Sequence, residues 1–291
     1  MSVTISNEFL SAGILSKGAE LCSIKNKSVN EFMWQAMPEF WNRHAPLLFP
    51  FVGKLKNDSY IFDNKTFRCS QHGFARDSEF TLIEKTDDSC IFELNETKTS
   101  LEKFPFRFSV RSQYQLKSNS LFIKQSVSNN NNVTMPFSIG AHPAFNCPFN
   151  NSEKFEDYFI EFEKPEMLSS MILKNGNFEN DVFNVLNNEK VLKLNYNTFN
   201  AIDTYVFQDF KSDWVELKSS KSKNAIRVSI KAFPYLGIWT KPNAPFICIE
   251  PWYGLADFKN HDGNIFNKKG IQLLQPGALF ECEYFIEINV Q

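Results

Sequence analysis

The chain has 291 residues, 43% of them hydrophobic, and a formal net charge of −2 with acidic and basic residues scattered rather than blocked. That balance excludes the concentrated basic footprint of a nucleic-acid binder, and no apolar run approaches the roughly 18 residues of a membrane span. The 11 glycines and 13 prolines are too few for a fibrous or disordered chain.

Phenylalanine contributes 31 residues and aromatics reach 15%, a composition that suits pleated, half-buried surfaces. A chain of this size is ordinary for one all-β unit, so a single domain is expected over residues 1–291. Cys22, Cys69, Cys90, Cys147, Cys248 and Cys282 form no C-x-x-C pair and often sit in apolar, strand-like runs. They read as reduced, buried thiols of a cytoplasmic protein. No basic-then-apolar signal peptide opens the chain.

In chain order, residues 31–40 are expected to hold a short helical turn. Hairpin turns are read at Asp63-Asn64-Lys65 and at residues 86–89. A second short helical turn is expected at residues 100–104, followed by Phe106, Phe108 and Val110 alternating with Arg107, Ser109 and Arg111. That period of two marks a strand with one wet face. Residues 117–120 read as a hairpin turn into Leu121, Ile123 and Val127, and the four asparagines 129–132 as a connection within the sheet. A strand is expected over 133–140, long irregular loops over 146–200, a hairpin turn at 219–224 and a final strand over 279–290. The sum is an all-β chain with few short helices, read as one large antiparallel sandwich.

Two of the four histidines stand in compact loops, Gln71-His72-Gly73-Phe74-Ala75-Arg76 and Gly140-Ala141-His142-Pro143-Ala144-Phe145. Loops on a rigid scaffold present polar groups to ligands, and histidine exchanges a proton near neutrality. Arg76 adds a permanent cation suited to hydroxyl or phosphate oxygens. His142 precedes a proline, which cannot continue a sheet ladder, so it belongs at a strand exit. Glu250 ends an apolar run before Pro251 and Trp252, where partial desolvation would raise its pKa toward that of a general base. Each residue also has a plain reading: a loop histidine satisfied by backbone, a structural histidine at a turn, a strand-end glutamate paired with a lysine.

Four stretches in order resemble the aldose 1-epimerase (mutarotase) superfamily, and within it the LacX-like branch. They are Leu48-Phe49-Pro50-Phe51-Val52-Gly53-Lys54-Leu55-Lys56, the His72 and His142 loops, and Ile249-Glu250-Pro251-Trp252. The resemblance spans nearly the whole chain and implies a galactose mutarotase-like supersandwich of large antiparallel sheets, with a sugar in an open cleft and no cofactor or metal. It implies that Glu250 takes the anomeric proton, that His142 protonates the ring oxygen, and that His72 holds the sugar and helps polarise that oxygen. Arg76, Asp203, Trp252 and Lys54 become substrate contacts, with Trp252 an exposed platform for the sugar's C–H face. Relatives tend to carry arginine where this chain has Lys54, which keeps the charge and loses the bidentate fork. The paired arginine of classical mutarotases has no counterpart, so the resemblance does not fix the hexose.

The expected activity is therefore interconversion of α and β anomers of a hexose, by a monomer or homodimer that binds neither nucleic acid nor membrane. A hexose-6-phosphate 1-epimerase would need a second cation near Arg76. A non-catalytic sugar-binding or sensing protein would not need a matched acid and base. His44, His72, His142 and His261 lack metal-ligand spacing, which argues against a metal-dependent barrel enzyme.

Overall fold

A computed structural model describes residues 1–149 and 152–289. The chain begins with a three-stranded antiparallel sheet of β1 (Ser2–Ser6), β2 (Leu10–Leu15) and β3 (Leu21–Asn26), and continues through β4 (Leu47–Leu48) to the hairpin β5 (Ser59–Phe62) and β6 (Lys65–Arg68). Next come β7 (Thr81–Lys85), β8 (Ser89–Asn95), helix α1 (Lys98–Lys103), β9 (Phe108–Lys117) and β10 (Ser120–Asn129). The short strands β11 (Met135–Phe137), β12 (Ile139–Ala141) and β13 (Ala144–Asn146) lead to the long pair β14 (Tyr158–Lys174) and β15 (Asn177–Lys193). Helix α2 (Tyr196–Ile202), β16 (Thr204–Gln208), β17 (Trp214–Ser219), β18 (Ala225–Ser229) and β19 (Tyr235–Trp239) precede β20 (Phe246–Tyr253), β21 (Gln272–Leu274) and β22 (Leu279–Asn289).

Two sheets dominate. One has nine strands in the order β15-β14-β17-β18-β22-β10-β9-β8-β7; the other runs β16-β19-β20-β12-β4, with β13 also paired to β20. All their pairings are antiparallel. The expected alternation is present: Phe106, Phe108, Val110, Leu121, Ile123 and Val127 are all buried. They pack with Phe49, Phe104 and Phe137 in the main core, so the many phenylalanines serve inter-sheet packing.

The turns expected at 63–65, 86–89, 117–120 and 219–224 each join two antiparallel neighbours. Asp63 and Asn64 both take positive φ, which matches the twist of adjoining strands. The final strand is β22, and Val290, included in the sequence reading, lies outside the described residues.

Several expectations are corrected. Residues 31–40 form no helix, only a turn at 38–40 where the Phe40 and Trp41 amides donate to the Met37 carbonyl. Phe32 and Trp34 instead donate backbone hydrogen bonds to the Ile24 and Ala144 carbonyls, while the Glu31 carboxylate accepts from the Ile24 and Met33 amides. Residues 133–140 are not one strand, because β11 pairs with β21 whereas β12 joins the six-stranded sheet. The asparagine run thus carries the chain out of the nine-stranded sheet, with Asn129 bonding the Val133 and Leu274 carbonyls. The largest correction is at 146–200, which contains the two 17-residue strands β14 and β15. β15 is an edge strand exposed along most of its length and bulged against β14, so no alternating apolar pattern was required of it.

Candidate active site

Strand β20 sets the chemistry by its pleat. Ile247 and Ile249 point into the main core, while Phe246, Cys248 and Trp252 belong to separate apolar clusters on the other face. Successive strand side chains alternate, so Glu250 shares the face of Cys248 and Trp252. Contrary to the sequence reading, Glu250 does not end the strand; β20 continues through Pro251, paired with Leu236 of β19.

The same sheet delivers His142. Strands β12 and β13 both pair with β20, Gly140 opposite Trp252 and Ala144 opposite Cys248. The two residues that interrupt them, His142 and Pro143, therefore lie opposite the centre of β20. The Ile249 amide donates to the Pro143 carbonyl at 3.2 Å, and His142 Nε2 stands 3.2 Å from Glu250 Oε2. The ring stacks on Trp41 at 4.9 Å between centroids and meets Trp239 and His72 edge-on, each at 5.6 Å.

His72 reaches the cleft from a turn with positive φ at both His72 and Gly73. Gly73 is required by space as well as by dihedral, since a Cβ there would sit 2.1 Å from the Phe49 carbonyl oxygen. The His72 amide donates to the Gly53 carbonyl at 2.9 Å, and the Gly53 amide donates to His72 Nδ1 at 3.1 Å. A backbone N–H can only donate, so Nδ1 carries no proton and Nε2 is the N–H of the neutral ring.

Burial governs the electrostatics. Glu250 is 1% exposed, and desolvation pushes its carboxyl well above the usual range, with Asp203 adding to the rise. The Trp252 indole N–H opposes that rise without forming a well-aligned hydrogen bond. Desolvation lowers His142 to about 3, with Arg76 and Arg43 contributing and its own backbone carbonyl opposing. His72 is also held well below its ordinary value, by burial first and then by His142, Arg76 and Arg43. The interior thus favours an uncharged carboxyl beside two uncharged imidazoles, with one mobile proton in the Glu250–His142 pair.

Lys54, His72, Arg76, His142, Asp203, Glu250 and Trp252 all line one cavity of about 290 Å³, at the small end of ligand pockets. Arg76 donates from Nη2 to the Gln71 carbonyl at 2.7 Å, and Asp77 lies 3.8 Å from its Nε. Arg43 bonds the other Asp77 oxygen at 3.0 Å, bringing a second guanidinium into the same cluster. Asp203 accepts from the Trp239 indole at 3.3 Å, and burial raises its carboxyl while that bond and one from Thr204 oppose the rise. The expected exposed platform at Trp252 is corrected: the residue is 6% exposed, and added Cβ atoms at Gly140 and Gly237 would each meet its ring at 2.6 Å. Trp252 is the floor of the cleft, lying flat across two glycines.

The sequence reading missed Trp41, Trp239 and Lys241, which also line the cavity. Trp41 comes from an irregular segment held by the Trp34 indole on its carbonyl and by Lys241 on the Phe40 carbonyl. No local pattern marks such a residue. The tip of the β14–β15 hairpin supplies a further wall through Leu173, Gly176 and Phe178. His142, Cys248 and Glu250 also place possible metal-ligating atoms within 4.8 Å of one another.

The aldose 1-epimerase family model matches residues 1–279. The plasmid-borne protein LacX of Lactococcus lactis subsp. lactis is 38% identical over 279 residues, covering 92% of this chain and 93% of its own. A galactose mutarotase related enzyme from Lactobacillus acidophilus superposes with a TM-score of 0.96 at 34% identity, over 100% of this chain and 98% of its own. A galactose mutarotase-like protein from Lactobacillus casei gives 0.92 at 33%, over 99% and 100%. The chain belongs to the aldose 1-epimerase family, in its LacX-like branch.

Proposed function

We propose that the protein is an aldose 1-epimerase that interconverts the α and β anomers of a hexose through the open-chain aldehyde. The observation that carries this reading is the buried contact of His142 Nε2 and Glu250 Oε2 at 3.2 Å, in a small cleft that buried His72 also lines. Ring opening removes a proton from the anomeric hydroxyl and delivers one to the ring oxygen. Glu250 as carboxylate takes the first, and His142 as imidazolium gives the second. The step starts from the tautomer with the pair's proton on His142 and ends with it on Glu250, so both groups finish in the uncharged form that the desolvated site favours at rest. Rotation about C1–C2 and reversal of both transfers close the other anomer, with no net proton gained or lost. Each well-placed transfer is worth on the order of 10²–10⁴-fold. His72, proton-free at Nδ1, offers Nε2–H to the ring oxygen as a hydrogen-bond donor. Arg76, Asp203 and Lys54 take the remaining hydroxyls over the Trp252 floor.

A second reading is a hexose 6-phosphate substrate, favoured by Arg43 beside Arg76 and by Lys54 and Lys241 on the cavity wall. Against it, Asp77 already pairs with both guanidinium groups. Polarimetry of freshly dissolved α-D-glucose, α-D-galactose and α-D-glucose 6-phosphate separates the readings. Acceleration of a neutral sugar supports the first, and acceleration confined to the phosphate ester supports the second. No acceleration of any aldose leaves a sugar-binding protein and sinks the enzymatic reading.

A further inference from the structure

Behind the proton-transfer pair lies a thiol that neither transfer uses. Cys248 is fully buried and sits two residues before Glu250 on one face of β20, so its side chain stands beside the carboxylate. One donor atom each from His142, Cys248 and Glu250 lies within 4.8 Å of the other two. The three bring an imidazole nitrogen, a sulfur and a carboxylate oxygen, a donor set suited to zinc.

Two further observations point to a ligand here. His142 Nε2 and Glu250 Oε2 are 3.2 Å apart, against about 3.3 Å for two donors bound to one tetrahedral zinc with bonds near 2.0–2.1 Å. Glu250 Oε2 is buried and accepts no well-aligned hydrogen bond. Drawing in the sulfur requires Cys248 to close on the pair by about 1 Å, since zinc–thiolate donor spacings are shorter than 4.8 Å. Charge also balances: one thiolate, one carboxylate and a neutral imidazole around a divalent ion sum to zero, which a desolvated interior tolerates far better than an isolated charge. His142 and Glu250 both line the cleft, from which water or a sugar hydroxyl could take a fourth position.

We propose that His142, Cys248 and Glu250 form a binding site for a thiophilic divalent cation such as Zn²⁺, and that its occupation arrests the epimerase. Binding releases the thiol proton and any proton held by the Glu250–His142 pair. The ion occupies the lone pairs that would otherwise accept and return the sugar's protons. Hard cations such as Mg²⁺ prefer all-oxygen shells and are excluded by the sulfur and nitrogen. The metal site stands on geometry alone; only its inhibitory effect rests on the epimerase reading.

The test uses the full chain stripped of metal. Titration with Co²⁺ is expected to produce a thiolate-to-cobalt charge-transfer band, which Zn²⁺ removes and Mg²⁺ does not. The band is expected to be absent in Cys248→Ser and Cys248→Ala. In polarimetry, Zn²⁺ is expected to stop turnover of the wild type, and both variants to keep turnover while needing Zn²⁺ raised by at least about 10–100-fold, the range lost with even an outer-sphere partner. No thiolate band in the wild type overturns the site whatever the turnover. Equal inhibition of wild type and both variants overturns the role of Cys248. A band in a protein with no metal-free turnover supports the site and overturns the epimerase reading instead.

Discussion

At the scale of residues, the Glu250–His142 pair decides most of what is testable. Glu250→Gln removes the proton acceptor and His142→Asn removes the donor. Each is expected to lower kcat by about 10²–10⁴-fold in polarimetry, with an unchanged far-UV circular dichroism spectrum. Near wild-type turnover in either variant would refute the assigned roles. The pair also predicts an effect on stability. Folded His142 titrates at about 3 against an ordinary 6.5, so between those values the unfolded chain binds a proton that the folded one does not, and stability falls as pH drops. Glu250 is shifted the other way, well above 4.5. Above 4.5 the folded chain holds a proton that the unfolded one lacks, and stability falls as pH rises. Between 4.5 and 6.5 the two slopes oppose. Glu250→Gln leaves the histidine slope alone, so its urea midpoint is expected to fall more steeply than that of the wild type over that window. Parallel profiles would show that the two groups do not offset one another.

At the scale of elements, glycine positions hold the site together. The turn carrying His72 has no room at Gly73, where a Cβ meets the Phe49 carbonyl carbon at 2.4 Å and oxygen at 2.1 Å. Gly73→Ala is expected to cost about 1–3 kcal/mol from the left-handed backbone alone, with the clash in addition. A displacement of His72 near 1 Å would lower turnover by about 10²-fold. A thermal melt together with kcat/KM reads both effects, and a variant stable and active to within two-fold would show that the turn relaxes freely. These elements were unequally legible in the sequence. The hairpin turns were readable because turn chemistry is local. Strand β15 was not, because an exposed, bulged edge strand needs no apolar alternation, and in β14 the buried Tyr158, Ile160 and Phe162 alternate but Phe159 on the other face blurs the pattern. The segment leading to Trp41 was read as a helical turn at 31–40, whereas Phe32 and Trp34 donate to distant carbonyls at Ile24 and Ala144 and only the Phe40 and Trp41 amides close a local turn on Met37.

At the scale of the whole molecule, the last strand is structurally central. β22 lies between β18 and β10 in the middle of the nine-stranded sheet. It buries Cys282, Tyr284, Ile286 and Ile288. Its partner β10 is far away in sequence, so folding waits on a non-local pairing. A chain ending at residue 278 is expected to lack cooperative unfolding, because two sheet halves would be left with open facing edges. A cooperative melt of the truncated chain would contradict this architecture. The nine- and six-stranded sheets meet on the phenylalanine core and leave the outer face of β20 for the cleft.

The sequence by itself determined the all-β class, the hairpin turns, the family and seven of the residues that line the cavity. Alternation, turn residues and ordered motifs are local signals that survive without coordinates. Only the tertiary structure decided that His142 faces Glu250 at 3.2 Å, that Trp252 is a buried floor, and that Trp41 and Trp239 enclose the imidazole. It also decided that Cys248 stands within 4.8 Å of both. These contacts follow from strand register and from the break between β12 and β13 opposite β20. Register between distant strands is set by the packing of the whole sheet, which no local stretch of sequence encodes.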